Sequence, residues 1–108
     1  MTVEEAIAVA VAEKMSRELD DDYVELWSLP WYVRQDWPTA SDEKVRYLCG
    51  SILRALTSTD VVLGDLDFNT GKFSPWKIDD PVDRAMAMWL QLGRDPTMGE
   101  IAWLSRTR

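Results

Sequence analysis

Apolar positions at the start of the chain recur at helical spacing. Val3, Ile7, Ala10, Val11, Met15 and Leu19 fall along one side of a cylinder, with charged residues between them. Thr2 stands where a cap is needed, and Glu4 and Glu5 occupy the first turn, favourable against the positive end of the helix dipole. The pattern predicts a helix from there to about Glu18. Asp20, Asp21 and Asp22 then offer caps for a second helix with Tyr23, Leu26 and Trp27 facing inward. Pro30 interrupts it, because an interior proline loses a hydrogen bond and crowds the preceding turn. Ser28 caps a short continuation through Trp31, Tyr32 and Val33, and Trp37-Pro38 closes the segment.

Ser41 opens the most regular stripe, in which Val45, Leu48, Cys49, Ile52 and Leu56 repeat as one helical face. After Thr57 to Asp60 the period changes to two. Val61 to Phe68 and Lys72 to Ile78 read as strands joined through Asn69-Thr70-Gly71, a three-residue hairpin loop with glycine in the left-handed region. That register pairs Phe68 with Lys72 and lays Trp76 across Gly64. Pro75 cannot donate to a ladder, so its strand belongs at an edge. Asp79 or Asp80 caps the next helix, Pro81 takes its first position, and Gly93 follows its end; Val82, Met86, Trp89 and Leu90 are its expected buried stripe. Thr97 to Glu100 forms a capping-box pattern opening a last short helix with Ile101, Trp103 and Leu104. The expected fold class is α+β, a mainly helical single domain spanning 1–108 with one β-hairpin.

With 108 residues and 46% hydrophobic positions, the chain is long enough to bury a core without disulfides or metal. The only cysteine is Cys49, and there is no histidine. Zinc sites of the Cys/His type and histidine-dependent nucleophile arrangements are therefore excluded. The apolar run of the first helix is too short to span a bilayer, and the Met-Thr-Val-Glu-Glu start lacks the basic flank of a signal peptide. A cytoplasmic location and no membrane partner are expected.

Charge changes the picture more. Of the net −7, residues 1–25 hold eight acids against two bases, which leaves eleven against ten in the rest. Such an acidic end is repelled by phosphate backbones and suits a basic protein partner. Asp65, Asp67 and Asn69 resemble the opening of a calcium loop, but Thr70 and Trp76 stand where glycine and a bidentate glutamate are required. Without a glycine-rich phosphate loop or a nucleophile motif, no catalytic residue, metal or cofactor is expected, and the protein reads as a non-enzyme.

The stretch from Asp20 to Trp37 concentrates five acids and five aromatics. One reading buries Trp27, Trp31 and Trp37 and leaves the aspartates as caps. The other leaves aromatic anchors at the surface inside a charged rim, a partner-binding face built from Asp20, Asp21, Asp22, Glu25, Trp27, Trp31 and Tyr32.

Two resemblances bear on function. The order helix, helix, helix, hairpin is similar to a winged helix, which implies a transcriptional regulator contacting nucleic acid, with the helix Ser41 to Thr57 as its reading element and Asn69 to Lys72 as its wing tip. Lys44, Arg46, Arg54, Lys72 and Lys77 are the only bases on those elements and their flanks. The later two thirds, through ELW at Glu25 to Trp27, SILRAL at Ser51 to Leu56, GKFSPW at Gly71 to Trp76 and WLQLGRDPTMGEIAWL at Trp89 to Leu104, resemble small uncharacterised bacterial proteins of the toxin-immunity type. That resemblance implies non-catalytic protein binding, as an immunity or inhibitor protein.

Overall fold

The computed structural model describes residues 1–107. Thr2 Oγ1 accepts the Glu5 amide at 3.1 Å and opens α1, Val3–Asp21, which buries Ile7, Val11, Met15 and Leu19. This helix runs three residues past its expected end and takes in Asp20 and Asp21. Asp22 is its C-cap, extended at φ −161° and ψ 176°, with its carboxylate accepting the Tyr23 amide at 2.7 Å. The three aspartates therefore end a helix instead of starting one. Beyond them the chain forms a short strand, β1, Val24–Glu25.

The next helix, α2, spans Ser28–Asp36. Pro30 lies in its first turn, where the missing N–H would have had no intrahelical acceptor. Proline is accommodated there as an opening residue, not an interruption. Helix α3, Asp42–Thr57, begins where Ser41 Oγ accepts the Lys44 amide at 3.2 Å, and it buries Val45, Leu48, Cys49, Ile52, Leu53 and Leu56. Burial pushes the Cys49 thiol well above its ordinary pKa, as suits a small core hydrophobe.

Strands β2, Val61–Asp67, and β3, Lys72–Pro75, form the expected hairpin with its register moved by one residue. Gly71 has φ +69°, as the turn requires, but its amide donates to Asp67 O at 2.7 Å, so the loop holds four residues and Asp67 pairs with Lys72. Pro75 therefore stands opposite Gly64, and the Phe73 ring, not Trp76, covers the glycine. A Cβ on Gly64 would lie 2.3 Å from the Ser74 carbonyl oxygen and 2.7 Å from Phe73 Cζ. Backbone cannot yield as a side-chain tip does. Gly64→Ala is expected to lower stability by about 2 kcal/mol, within the usual range for overpacking. A urea midpoint equal to that of the wild type would show that β3 can move away freely.

Helix α4, Pro81–Leu92, is capped by Asp80, whose carboxylate accepts the Asp83 amide at 2.9 Å, and it ends at left-handed Gly93. Val82, Ala85 and Trp89 are buried and Met86 is half-buried. Leu90 is 65% exposed and does not belong to the stripe.

The largest departure from the sequence pattern is the last element, a strand, β4, Trp103–Arg106, where the pattern predicts a helix. The capping-box contacts do form. Glu100 Oε1 accepts both the Thr97 amide at 2.7 Å and the Thr97 hydroxyl at 2.8 Å, while Arg94 grips both carboxylate oxygens at 2.7 and 2.9 Å. They close a turn rather than open a helix, because Gly99 and Ile101 take φ of +77° and +68° and the Ala102 amide donates to Glu100 O at 2.9 Å. Positive φ at a β-branched residue is strained, and it persists here because the strand beyond it is paired on both sides.

The Arg94 guanidinium and the Thr97 donors hold the Glu100 carboxyl down to about 2. Whatever the charged Glu100 contributes is present above the ordinary glutamate value and is lost as pH falls through the folded value. A carbon-detected NMR titration of Glu100 should therefore have its midpoint near 2. A midpoint at the ordinary glutamate value would mean that the turn is open in solution.

The four strands form one antiparallel sheet in the order β1-β4-β2-β3, with Pro75 on an edge strand as expected. Val24, Val61, Leu63 and Leu104 join the helical residues in a single core. Trp103, beside Leu104, and Val62, beside Leu63, take the alternate positions and face away from it. The fold class is α+β, with four helices on a small sheet among the described residues.

Candidate functional site

The end of α1, the strand β1, the start of α2 and the first residue of β4 meet around a groove of about 540 Å³. Its carboxylates are Glu18, Asp21, Asp22 and Glu25, and its rings are Tyr23, Trp27, Trp31, Tyr32 and Trp103. Glu18 and Asp21 stand at i and i+3 on one face of α1, and Asp22, its C-cap, follows directly. Trp27 and Trp31 stand at i and i+4 at the start of α2. Glu25 pairs across β1 with Trp103, which brings the indole in from the far end of the sequence.

Hydrogen bonds within the groove fix the rings. Trp27 Nε1 donates to Glu25 Oε2, and the Gly99 amide donates to Glu25 Oε1 at 3.2 Å. Tyr32 donates its hydroxyl to Glu18 Oε1; that hydrogen bond, then burial, then the glutamate charge raise the tyrosine pKa. Trp31 meets the Tyr32 ring edge-on at 5.4 Å and is 51% exposed. Beyond Trp103 the apolar surface continues across the outer face of the sheet, where Phe68 touches Trp103 edge-on at 5.6 Å and Tyr23 stacks on Phe73 at 5.4 Å.

The electrostatics are one-sided. Arg34 is held by Asp95 at 2.7 Å and Asp42 at 3.0 Å, and the hydrogen bonds to Asp95 push its guanidinium pKa above the ordinary value. Lys14, Lys44, Arg54, Arg94 and Arg106 also hold carboxylates. Among the described residues, none of these ion pairs uses Glu18, Asp21, Asp22 or Glu25. Among the described residues, the groove carboxylates accept hydrogen bonds only from neutral donors or from none. No lysine or arginine among the described residues lines the groove.

Six of the seven residues singled out from the sequence, Asp21, Asp22, Glu25, Trp27, Trp31 and Tyr32, thus stand around one opening. Asp20 does not. It lines a neighbouring pocket with Asp21, Asp22 and Arg106, whose Nε donates to it at 2.9 Å. Glu18, Tyr23 and Trp103 join the groove without having been singled out. Helical spacing from Asp21 pointed to Glu18, whereas nothing local pointed to Trp103.

Asp21 and Asp22 also oppose the local backbone field. They stand at the negative end of the α1 dipole, and no basic residue lies in the helix's last turn. Replacing both by asparagine keeps the hydrogen bond to Tyr23 and removes two unfavourable charges. The expected result is a gain of about 0.5 kcal/mol in urea unfolding at low ionic strength, shrinking with added salt. A loss of stability would mean that these charges support the fold.

The other candidate regions are occupied by contacts within the chain. On α3, Lys44 pairs with Glu4 at 3.2 Å and Arg54 with Asp80 at 3.6 Å. In the calcium-like loop, Asp67 Oδ1 accepts the Asn69 amide at 2.8 Å. No cluster of three His, Cys, Asp or Glu able to hold a metal occurs among the described residues, and no helix there is long and apolar enough to cross a membrane. Comparison with protein families, curated proteins and solved structures finds no match to this chain.

Proposed function

We propose that this protein is a non-catalytic binding module that receives a basic protein partner in the acidic, aromatic groove, as an immunity or inhibitor protein would. The observation that carries this reading is the gathering of carboxylates that make no ion pair among the described residues with partly exposed rings around one opening of about 540 Å³. Rings in such a setting supply desolvated contact area, and rim charges steer an oppositely charged partner. The apolar outer face of the sheet, reached through Trp103 and Phe68, extends the surface beyond the groove. A nucleic-acid role as a winged-helix regulator has less support, because Lys44 and Arg54 on α3 are paired with acids of the same chain.

The test is a tryptophan-fluorescence titration with a lysine homopeptide and, separately, with a DNA duplex. Peptide binding that weakens with salt and in the Asp21→Asn/Asp22→Asn variant is the expected result. Equal peptide binding by the variant, or preference for the duplex, would overturn the reading.

A further inference from the structure

Resting on that reading, we infer that the groove is built for the guanidinium of an arginine side chain, presented by an exposed segment of the basic partner, with Trp31 as its principal stacking surface.

The six tryptophans of the chain divide by what covers them. Trp89 is buried. Trp37 and Trp76 are each covered by a cation of the chain itself, Lys44 at 5.5 Å and the Arg84 guanidinium at 4.6 Å from the ring centre. The remaining three, Trp27, Trp31 and Trp103, all line the groove, and none has a cation of the chain over its ring among the described residues. The indoles left without a cation are therefore those gathered beside the carboxylates left without one. A ring face attracts a cation through its quadrupole, and a carboxylate attracts it by charge, so one ligand satisfies both.

Shape favours guanidinium over ammonium. The walls are planar, and Trp27 and Tyr32 are fixed in orientation by hydrogen bonds to Glu25 and Glu18. A guanidinium is also planar, stacks on an indole and presents a fork of donors to a carboxylate, whereas an ammonium is a compact and more strongly hydrated charge. Asp21 and Asp22, at the end of α1, lie within the same lining and are free of ion pairs among the described residues. Two cations of the chain lie near these residues: Lys14, 5.5 Å from the Tyr32 ring centre, is held by Asp36 at 3.6 Å, and Arg106, which lines a neighbouring pocket with Asp21, Asp22 and Tyr23, is held by Asp20 and Asp60; neither lines the groove.

The experiment compares two short peptides of equal length and charge, one alternating glycine with arginine and the other glycine with lysine. Each is titrated into the wild type and into Trp31→Ala, followed by calorimetry at low and high salt. Because Trp31 is half exposed, its truncation leaves the core intact, which circular dichroism verifies. The arginine peptide should bind about tenfold more tightly than the lysine peptide, and Trp31→Ala should remove most of that difference. Equal affinities would overturn the arginine assignment while leaving a basic partner in place. A preference that survives Trp31→Ala would overturn the role of the ring. If neither peptide binds at low salt, the reading of the groove as a receptor for basic partners falls as well.

Discussion

Trp89→Ala is expected to destabilise the protein by about 3–5 kcal/mol, the usual cost of truncating a buried aromatic. Trp89 is 1% exposed and heads the fully buried side chains by size. It fixes α4 in the same core as Leu48, Ile52 and Leu56 on α3. Against a typical total stability of about 5–15 kcal/mol, such a loss leaves a substantial unfolded population at moderate temperature. The indole nitrogen sharpens the test, because Trp89 Nε1 is buried without a hydrogen-bond partner among the described residues. Leaving a donor unsatisfied has a cost of its own, so Trp89→Phe, which keeps a ring and removes that donor, should lose far less than the alanine variant. Urea unfolding followed by far-ultraviolet circular dichroism measures both. A deficit under about 1 kcal/mol for Trp89→Ala would place the residue outside the cooperative core.

Helices α1, α3 and α4 were legible because their signals are local. The stripe through Ile7, Val11, Met15 and Leu19, and the one through Val45, Leu48, Cys49, Ile52 and Leu56, are buried as their spacing predicts. Thr2, Ser41, Asp80 and Gly93 bound their helices through contacts within a few residues. The strand β4 was not legible for the opposite reason. Thr97 and Glu100 make the hydrogen bonds of a capping box, but the same bonds close a turn, and the choice was decided by pairing of β4 with β1 and β2. Those partners lie far away in sequence. Register failed for want of one residue: a four-residue loop and a three-residue loop both place Gly71 at positive φ, yet they shift every pair by one.

The groove divides in the same way. Asp21, Asp22, Glu25, Trp27, Trp31 and Tyr32 are close in sequence, and their clustering was visible as a density of acids and rings. Trp103 was invisible because only β4 carries it there. Asp20 stands outside the groove lining, and its contact with Arg106 was not legible because Arg106 arrives on the same unexpected strand. A single misread element thus accounts for one groove residue not singled out and for one singled-out residue that does not line the groove.

Arg106 is expected to be the most sensitive charged residue, with Arg106→Ala destabilising by about 3 kcal/mol. Its side chain is 14% exposed and lies beneath the last turns of α1. Nη2 donates to the Ser16 carbonyl at 2.8 Å and to the Ser16 hydroxyl at 2.6 Å, Nε donates to Asp20 at 2.9 Å, and Nη1 donates to Asp60 at 2.7 Å. One cation therefore ties α1, the start of β2 and the end of β4 together. It also supplies positive charge near the negative end of α1, where Asp20, Asp21 and Asp22 accumulate. The carboxylates are half exposed, which moderates the cost relative to a fully buried pair, but the Ser16 contacts are part-buried and water replaces them poorly. A double-mutant cycle with Asp60→Asn separates the terms, because the shared interaction disappears from one side of the cycle. Arg106→Ala should cost about 1 kcal/mol less in the Asp60→Asn background than in the wild type. Equal costs in the two backgrounds would assign the stabilisation to the α1 contacts alone. If Arg106→Ala lost under about 0.5 kcal/mol, the clamp would be a surface ion pair, and the end of α1 that carries the groove carboxylates would be held by packing alone.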